Sequence, residues 1–387
     1  MAHRKFKAAL LAAATMSSMV AVGVSAGTSS AGASGTVNWA KVTHLTKTGP
    51  TDMTALIKAA KKEARLNVIA LPDNWANYGT ILKDFKKKYG INISDQNPEG
   101  SSAEEITAMT DDRGRSDDPD VIDVGTNFAV TAQADGELAP YKVLTWNEIP
   151  ANLKQSGGYW FDDYGGYVAI GCDTATVTTC PTSFAQMLAA PASDGYKIGL
   201  NNSPLSASAA LAGVWAAAIA EGGSLTNIAP GVTYFQNLNK AGYFVPTVAG
   251  CSTIQSGATN IVIWWDYLQA SEVSSTCLKT WKVTVPSDAL FAEYYTQAIN
   301  KNAPDPAAAR LWEEYLYSVT GQNLWLQGEA RPAELAYMEA HGTANTTWEA
   351  ALPAVPKGTT NVPTPAEITA AETTVTSTWP TEVTTGP

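Results

Sequence analysis

The chain has 387 residues, of which 45% are apolar and 16% charged, the composition of a folded protein long enough for two or three domains. Its net charge is −11, so its surface repels phosphates and a nucleic-acid-binding role is disfavoured. Beyond the N-terminus no run is long and apolar enough to span a bilayer. The best candidate, residues 205–219, is short and contains Ser206 and Ser208.

Residues 1–26 have the pattern of a secretory signal peptide. A basic start at residues 3–7 precedes a small-residue apolar run at residues 8–24, and Val24-Ser25-Ala26 fits a cleavage site. Thr, Ser and Gly interrupt the run, which favours cleavage over a membrane anchor. This segment contains three basic residues, Arg4, Lys5 and Lys7, so its removal changes the net charge of the chain from −11 to −14. We expect an exported protein, periplasmic or at the cell surface, with no cysteine near residue 27 to carry a lipid.

The four cysteines predict two disulfides, because an even number in an exported chain is typical of oxidised pairs. Of the three connectivities, Cys172–Cys180 with Cys251–Cys277 closes the shorter loops and is preferred. A zinc site is the alternative, but it usually needs close C-x-x-C pairs, and the sequence has none. We expect no metal and no cofactor.

After a flexible stretch at residues 27–49, strands alternate with helices. Short apolar runs predict strands at residues 66–71, 91–94 and 121–124. An amphipathic pattern predicts a helix at residues 78–89, a Ser101-Ser102 cap begins a second helix, and a third begins near Thr126. Such alternation is typical of a parallel sheet covered by helices on both faces.

The pattern resumes after an aromatic, glycine-rich stretch at residues 157–167. Strands are predicted at residues 197–200 and 261–265, and helices at residues 234–241 and 307–318. Residues 201–208 are predicted to open an Ala-rich buried helix that runs to about residue 221. A last amphipathic segment, residues 364–380, has Ile368, Ala371, Val375 and Trp379 on one face, and we favour a docked helix there over a disordered tail.

Four stretches resemble a known family. They are Asn74-Trp75-Ala76-Asn77-Tyr78 with the following Phe85 and Gly90-Ile91, residues 119–124 (PDVIDV), residues 181–184 (PTSF), and residues 298–322 (AINKNAPDPAAARLWEEYLYSVTGQ). Together they resemble the type II periplasmic solute-binding proteins of ABC importers over residues 61–335. The branch includes spermidine/putrescine, ferric-ion and phosphonate binders.

The resemblance implies an α/β fold with two lobes, mostly parallel sheets covered by helices, and a hinge of crossover strands. Lobe 1 is expected at residues 50–140 plus 258–290, and lobe 2 at residues 141–257 plus 291–350. Residues 351–387 would form a C-terminal segment containing the docked helix.

Ligands of open α/β sheets lie beyond the carboxyl ends of the strands, so the loops that follow strands supply the candidate ligand-binding residues. These are Trp75, Tyr78, Ser102, Thr126, Asn127, Ser206, Trp265, Asp266 and Tyr295. Trp75 and Tyr78 lie three apart and match polyamine binders, in which such rings enclose an ammonium group; the alternative is that both are core residues. Asp266 is similar to the amine-clamping acid of those binders, with a structural cap or a buried pair as its alternative.

Other clusters have competing interpretations. Tyr294-Tyr295 resembles the adjacent tyrosines of ferric binders, but those follow the returning strand, where this chain has residues 265–267, so iron is disfavoured. Only one tyrosine of an extended pair faces a cleft, and we choose Tyr295. Asn202, Ser203 and Ser206 either bind an anion at a helix start or cap that helix. The Asp-rich loop at residues 111–120 lacks EF-hand spacing and is interpreted as solvated, and Asp162-Asp163 as a turn.

An exported hydrolase is the competing functional class. The three histidines, His3, His44 and His341, lie near the ends of the chain, and no G-x-S-x-G, H-E-x-x-H or Walker motif occurs. We therefore predict a monomeric receptor without catalytic residues. It would close on a small polar ligand, leaning to a polyamine or other organic cation, and deliver it to ABC permease subunits in the membrane. Ferric ion or an anionic phosphonate or carboxylate are the alternatives on the same fold.

Overall fold

The computed structural model describes residues 36–384, so the predicted signal peptide lies outside the described residues. The elements below belong to the compact unit that begins at Asn38. The strands are β1 (Arg65–Ile69), β2 (Asn92–Gln96), β3 (Val121–Gly125), β4 (Leu138–Ala139), β5 (Phe161–Asp173), β6 (Ile198–Leu200), β7 (Phe244–Val248), β8 (Ile261–Trp265), β9 (Trp281–Thr284), β10 (Ala292–Asn300) and β11 (Arg331–Pro332).

Fourteen α-helices lie before, between and after these strands within residues 36–384. They are α1 (Met53–Glu63), α2 (Tyr78–Tyr89), α3 (Ser102–Asp111), α4 (Thr126–Ala134), α5 (Phe184–Ala189), α6 (Ser208–Ala220), α7 (Ala229–Lys240), α8 (Cys251–Gln255), α9 (Asp266–Leu268), α10 (Pro306–Leu316), α11 (Val319–Gln327), α12 (Leu335–His341), α13 (Thr346–Glu349) and α14 (Pro365–Glu382). A π-helix at Gln269–Cys277 continues α9. None of the helices in this range is long and apolar enough to cross a membrane.

Local sequence explains the ends and the packing of helices α2, α3 and α6. Helix α2 buries Tyr78, Ile81 and Phe85 on one face and ends at Gly90, which adopts a left-handed conformation with φ 71°. Helix α3 begins with a capping box between Ser101 and the Glu104 side chain. Helix α6 is buried along most of its length, because its many alanines allow close packing on several sides.

The strands form a two-stranded parallel sheet, β1–β2, and a nine-stranded sheet in the order β3-β10-β5-β8-β6-β7, with β4 on β10 and with β9 and β11 on β5. Strand β5 crosses the molecule, because its first half pairs with β10 and its second half with β8 and β9. All pairs made by β5 and β10 are antiparallel, whereas β6 is parallel to β7 and β8. The described sheets are therefore mixed, and the prediction of mostly parallel sheets overestimates the parallel share.

The strand pairing also differs from the expected grouping of segments. Strand β8 was expected with residues 50–140 but pairs with β6, and β10 was expected with the second lobe but pairs with β3. The crossover strand explains the difference. It lies in the glycine-rich stretch that carried no strand prediction, and Asp162 and Asp163 are buried within it instead of forming a turn.

Both predicted disulfides are present, Cys172–Cys180 and Cys251–Cys277. The described part of the stretch predicted to be flexible is packed, because Arg310 donates from Nε to the carbonyl of Val42 at 2.7 Å. The C-terminal helix is also present, and it buries the four residues whose spacing predicted it. Its Trp379 ring contacts Phe235 and Phe244, at centroid distances of 5.4 and 5.9 Å.

Candidate functional site

A cavity of about 300 Å³ opens where the loops after β1 and β2 meet the loop after β6 and the start of α6. From the first side come Ala70, Pro72, Trp75, Pro98, Glu99, Gly100, Ser101, Ser102, Glu105, Asp123 and Tyr295. From the second side come Asn201, Asn202, Ala207, Ser208, Ala209 and Val248. Ligands of open α/β sheets bind beyond the ends of such strands, which makes this cavity the candidate binding site.

Two aromatic rings form one wall of the cavity. The Trp75 and Tyr295 rings meet edge to face, with centroids 5.6 Å apart and an interplanar angle of 77°. Trp75 is fixed because its indole N–H donates to the Tyr164 hydroxyl at 2.7 Å, and Tyr295 stacks on the same Tyr164 ring at 5.6 Å. The loop that carries Trp75 turns through Asn77, which has φ 71° and donates to the Leu324 carbonyl at 2.8 Å. The rings are therefore held in place before any ligand binds.

Two buried carboxyl groups, of Glu105 and Asp123, form the floor of the cavity. Their side chains are 2% and 5% exposed. Oδ2 of Asp123 accepts from the hydroxyls of Tyr78, at 2.5 Å, and Tyr164, at 2.9 Å, whereas Oδ1 has no hydrogen-bond partner. The Asp123 backbone N–H donates to Glu105 Oε2 at 3.0 Å. One hydroxyl, that of Tyr164, thus links the floor to the aromatic wall.

Burial controls the protonation of this floor. Desolvation raises the pKa of Asp123 to about 7, although the two tyrosine hydrogen bonds oppose the rise. Desolvation, with the charge of Asp123 next, also raises the pKa of Glu105 well above its ordinary value. A cation beside them would favour the ionised forms, so the floor is suited to bind positive charge and release protons.

The facing wall is formed by the N-terminus of α6. Its N-cap residue, Ala207, provides no side-chain hydrogen bond to the first-turn amides. The Ser208 hydroxyl donates to Asn127 Oδ1 at 3.1 Å, which links this wall to the start of α4. The two sides approach closely at Gly125, where a Cβ atom would lie 1.9 Å from Ser208 Oγ, so a side chain at that position would push them apart.

The ionisable side chains that line the cavity are all acidic among the described residues. Among the described residues that line the cavity, three are carboxylic acids, Glu99, Glu105 and Asp123, and none is Lys, Arg or His. Glu99 is exposed at the edge, so the buried charge is concentrated at the floor.

Of the nine predicted ligand-binding residues, Trp75, Ser102 and Tyr295 line the cavity. Tyr295, and not its neighbour Tyr294, lines it, as the extended conformation predicts. Tyr78 lies behind the floor as a hydrogen-bond donor to Asp123.

The predicted residues on α4 are engaged outside the cavity. The Thr126 hydroxyl contacts that of Thr296 at 3.0 Å, and the Asn127 amide donates to Glu372. Ser206 lines a second, smaller cavity of about 190 Å³ together with Glu372. These three side chains belong to the surroundings of the site.

Trp265 and Asp266, which were also predicted to bind ligand, do not line the main cavity. The Trp265 ring is buried and stacks on Tyr267 at 6.5 Å. Asp266 is fully buried, accepts from Arg331 Nη1 at 2.5 Å and from the Tyr167 backbone N–H at 2.9 Å. An unpaired buried charge is too costly, and here Arg331 neutralises the carboxylate that was expected to clamp an amine.

Sequence reasoning missed the acids of the floor, although one signal was present. Asp123 interrupts the apolar run of β3, and a lone acid in a buried strand needs a partner or a function. Glu105 gave no comparable signal, because its position on α3 is that of an ordinary first-turn acid.

The Asp-rich loop is held by contacts within it and to Asn300, and its Asp118 and Asp120 are buried instead of solvated. Arg115 forms ion pairs with Asp112 at 3.0 Å and Asp117 at 2.7 Å, and Asp118 accepts from Asn300 Nδ2 at 2.7 Å. Within the part of the chain that the structure describes, no group of three or more His, Cys, Asp or Glu side chains is arranged to hold a metal ion.

No protein-family model matches the sequence, and no curated protein matches it either. Solved structures do match. Iron-bound HitA from Pseudomonas aeruginosa aligns with 81% of this chain and 97% of its own at 15% identity and a TM-score of 0.59. AgtB from A. tumefaciens R10, in complex with agropinic acid, aligns with 82% and 98% at 13% identity and a TM-score of 0.64. The Atu4243-GABA receptor aligns with 81% and 95% at 16% identity and a TM-score of 0.61.

The chain has the two-lobed periplasmic-binding-protein fold. The nine-stranded sheet consists of two groups of strands joined by the crossover strand β5. One group contains β3 and β10, and the other contains β6, β7 and β8. The cavity receives residues from both groups, since Asp123 and Tyr295 lie on β3 and β10 while Asn201 and Val248 lie at the ends of β6 and β7.

Proposed function

We propose that this protein is the extracellular solute-binding component of an ABC importer and that its solute is a small organic molecule carrying a primary ammonium group. The observation that carries the proposal is the main cavity itself, which has a floor of two buried carboxyl groups, a wall of two aromatic rings and no basic side chain among its described lining residues. One comparison agrees in chemistry, because the Atu4243 protein is a GABA receptor and GABA carries an ammonium group.

The ammonium group would donate to the free Oδ1 of Asp123 and to Glu105. Hydrogen bonds between ionised partners are roughly twice as strong as neutral ones. The Trp75 and Tyr295 rings would add cation–π attraction of about 0.5–2 kcal/mol each. The rings also exclude water, so the electrostatic attraction acts in a medium of low dielectric constant.

Capture would proceed by closure of the two strand groups around the solute. Because each contributes residues to the cavity, a bound solute contacts both and favours the closed arrangement over the open one. The closed form would then dock on the permease subunits. No chemical step is needed, and the two histidines in the described residues, His44 and His341, are exposed and do not line the cavity.

Ferric ion is a second candidate solute, because HitA has the same fold and its structure contains iron. The cavity offers one phenol, of Tyr295, and the two floor carboxyls as oxygen donors. The ammonium proposal explains the aromatic wall as well as the acids. Ferric ion is therefore included among the ligands of the test below.

The test is isothermal titration calorimetry of the purified mature chain against a panel of alkylamines, diamines, amino acids, dicarboxylates, a phosphonate and ferric citrate. We expect stoichiometric, unconverted binding of ammonium compounds, lost or strongly weakened in Glu105→Gln. Thermal shift provides a second readout, since a ligand at 100 times its Kd stabilises by about 2.7 kcal/mol. Tight binding of ferric ion, a phosphonate or a dicarboxylate without any ammonium compound would contradict the proposal, and so would turnover of a ligand.

A further inference from the structure

The main cavity has two chemically different ends. At the floor, Asp123 is 95% buried, and its Oδ1 has no hydrogen-bond partner. At the opposite wall, the first-turn amides of the 13-residue helix α6 have no side-chain cap. One end therefore accepts hydrogen bonds and attracts positive charge, while the other donates hydrogen bonds and attracts negative charge.

We infer that the solute is a zwitterionic amino acid, with the ammonium at Asp123 and Glu105 and the carboxylate at the N-terminus of α6. This inference rests on the proposed function, because it names the second group of the same ammonium-bearing solute.

A comparison of two helices in the cavity supports this orientation. Helix α3 also begins at the cavity, but Ser101 and Glu104 cap it, with the Ser101 N–H donating to Glu104 Oε2 at 2.8 Å. The start of α6 has no such side-chain cap, and Asn201 lines the same wall. Unsatisfied donors in a half-buried wall are matched by a ligand that accepts hydrogen bonds.

A diamine fits this arrangement less well. Its second ammonium group would face the amide N–H groups of α6, which repel positive charge. The third acid of the lining, Glu99, is exposed at the edge of the cavity and is the only other carboxylate among the described lining residues. An exposed ion pair contributes little in water.

Strand β3 connects the two ends of the cavity. Asp123 and Gly125 are two residues apart on β3, which corresponds to about 6–7 Å, and Gly125 lies against Ser208. A solute that bridges the two ends adds a hydrogen bond of about 2.9 Å at each end to its own length, so amino acids of different chain lengths are compared in the test.

The experiment compares ligands that differ in one group. Titration calorimetry on the mature chain would use 4-aminobutanoate, n-butylamine, 1,4-diaminobutane and the amino-acid series from glycine to 6-aminohexanoate. We expect 4-aminobutanoate or a neighbour in the series to bind at least tenfold more tightly than n-butylamine, and the diamine to gain nothing over n-butylamine. If n-butylamine or the diamine binds as tightly as every amino acid, the inference is overturned while the proposed function stands. If no ammonium compound binds, the proposed function itself fails.

A variant locates the carboxylate. Ala207 has the extended backbone of an N-cap, so Ala207→Asp places a carboxylate on the α6 amides and imitates that end of the solute. We expect the affinity ratio of 4-aminobutanoate to n-butylamine to fall to within about twofold of one, because the amides are occupied. Thr369→Asp is the matched control, since it adds the same charge at an exposed position near the start of another helix, α14, outside the cavity. A ratio that survives Ala207→Asp, or that falls equally in Thr369→Asp, would overturn the assignment to these amides.

Discussion

Lowering the pH from 8 to 5 should weaken binding of an ammonium ligand, because the acid that receives it becomes neutral. Burial raises the pKa of Asp123 from 3.8 to about 7. Above that pH the carboxylate is ionised and attracts the ligand, and below it the group is protonated. Alkylammonium groups, like lysine with a pKa of about 10.4, keep their charge over this range.

The size of the effect follows from one titrating group. Below a pKa of about 7 the ionised fraction falls tenfold per pH unit, so the affinity at pH 5 should be roughly 100-fold lower than at pH 8, or about 2.7 kcal/mol. Burial also raises the pKa of the neighbouring Glu105 carboxyl well above its ordinary value. Tyr78 and Tyr164 donate to Asp123 at both pH values and do not change its charge.

The assay is titration calorimetry from pH 5 to 8 in buffers of different ionisation enthalpy, which also counts the protons released on binding. We expect net proton release near pH 7. Asp117→Asn is the control, since this exposed acid pairs with Arg115 away from the cavity and its removal should leave the profile unchanged. An affinity that is flat over this range, or that rises on acidification, would refute the electrostatic reasoning.

Three substitutions separate binding from stability. Trp75→Ala should lower the affinity for an ammonium ligand by about 2- to 30-fold in calorimetry, the range of one cation–π contact, and Trp75→Phe should lower it less. Equal affinities for the wild type and Trp75→Ala would show that the ring does not contact the ligand. Arg331→Met should destabilise the fold by about 3 kcal/mol in urea unfolding, because it leaves Asp266 buried without its partner. It should change the ligand affinity less than twofold, and a large loss of affinity would show that Asp266 takes part in ligand binding. Trp379→Ala should cost about 3–5 kcal/mol by the same measurement, since the ring is fully buried against Phe235, and an unchanged midpoint would mean that α14 is not docked in solution.

Local patterns explain which elements the sequence could predict. The amphipathic face of residues 78–89 and the run at Ile261–Trp265 match the observed α2 and β8, because each pattern is read within one element. The four apolar positions of the last helix were also correct, since their spacing alone defines the buried face. The disulfide pairing followed from loop length.

Long-range pairing explains what it could not predict. Strand β5 contains Gly165 and Gly166, which weaken any strand signal, yet neighbouring atoms of Glu293 and Asp266 lie so close that a side chain at either position would collide with them. Without β5, the partners of β8 and β10 were assigned to the wrong groups.

The site was only partly predictable for the same reason. Trp75 follows from the rule that ligands lie beyond strand ends, and Tyr295 from the alternation of side chains in an extended segment; both line the cavity. The rule could not distinguish Asp266 from Asp123, because both acids adjoin apolar strand residues. Only the tertiary structure shows that Arg331 pairs with the first and that Oδ1 of the second has no partner.

A crystal structure of the mature chain with an ammonium ligand, grown near pH 8, tests the central claim most directly. The account predicts ligand density in the main cavity, with its nitrogen about 2.7–3.0 Å from Asp123 Oδ1 and its chain against the Trp75 and Tyr295 rings. A ligand bound elsewhere, or one that turns a carboxylate or a metal ion toward Asp123, would contradict it.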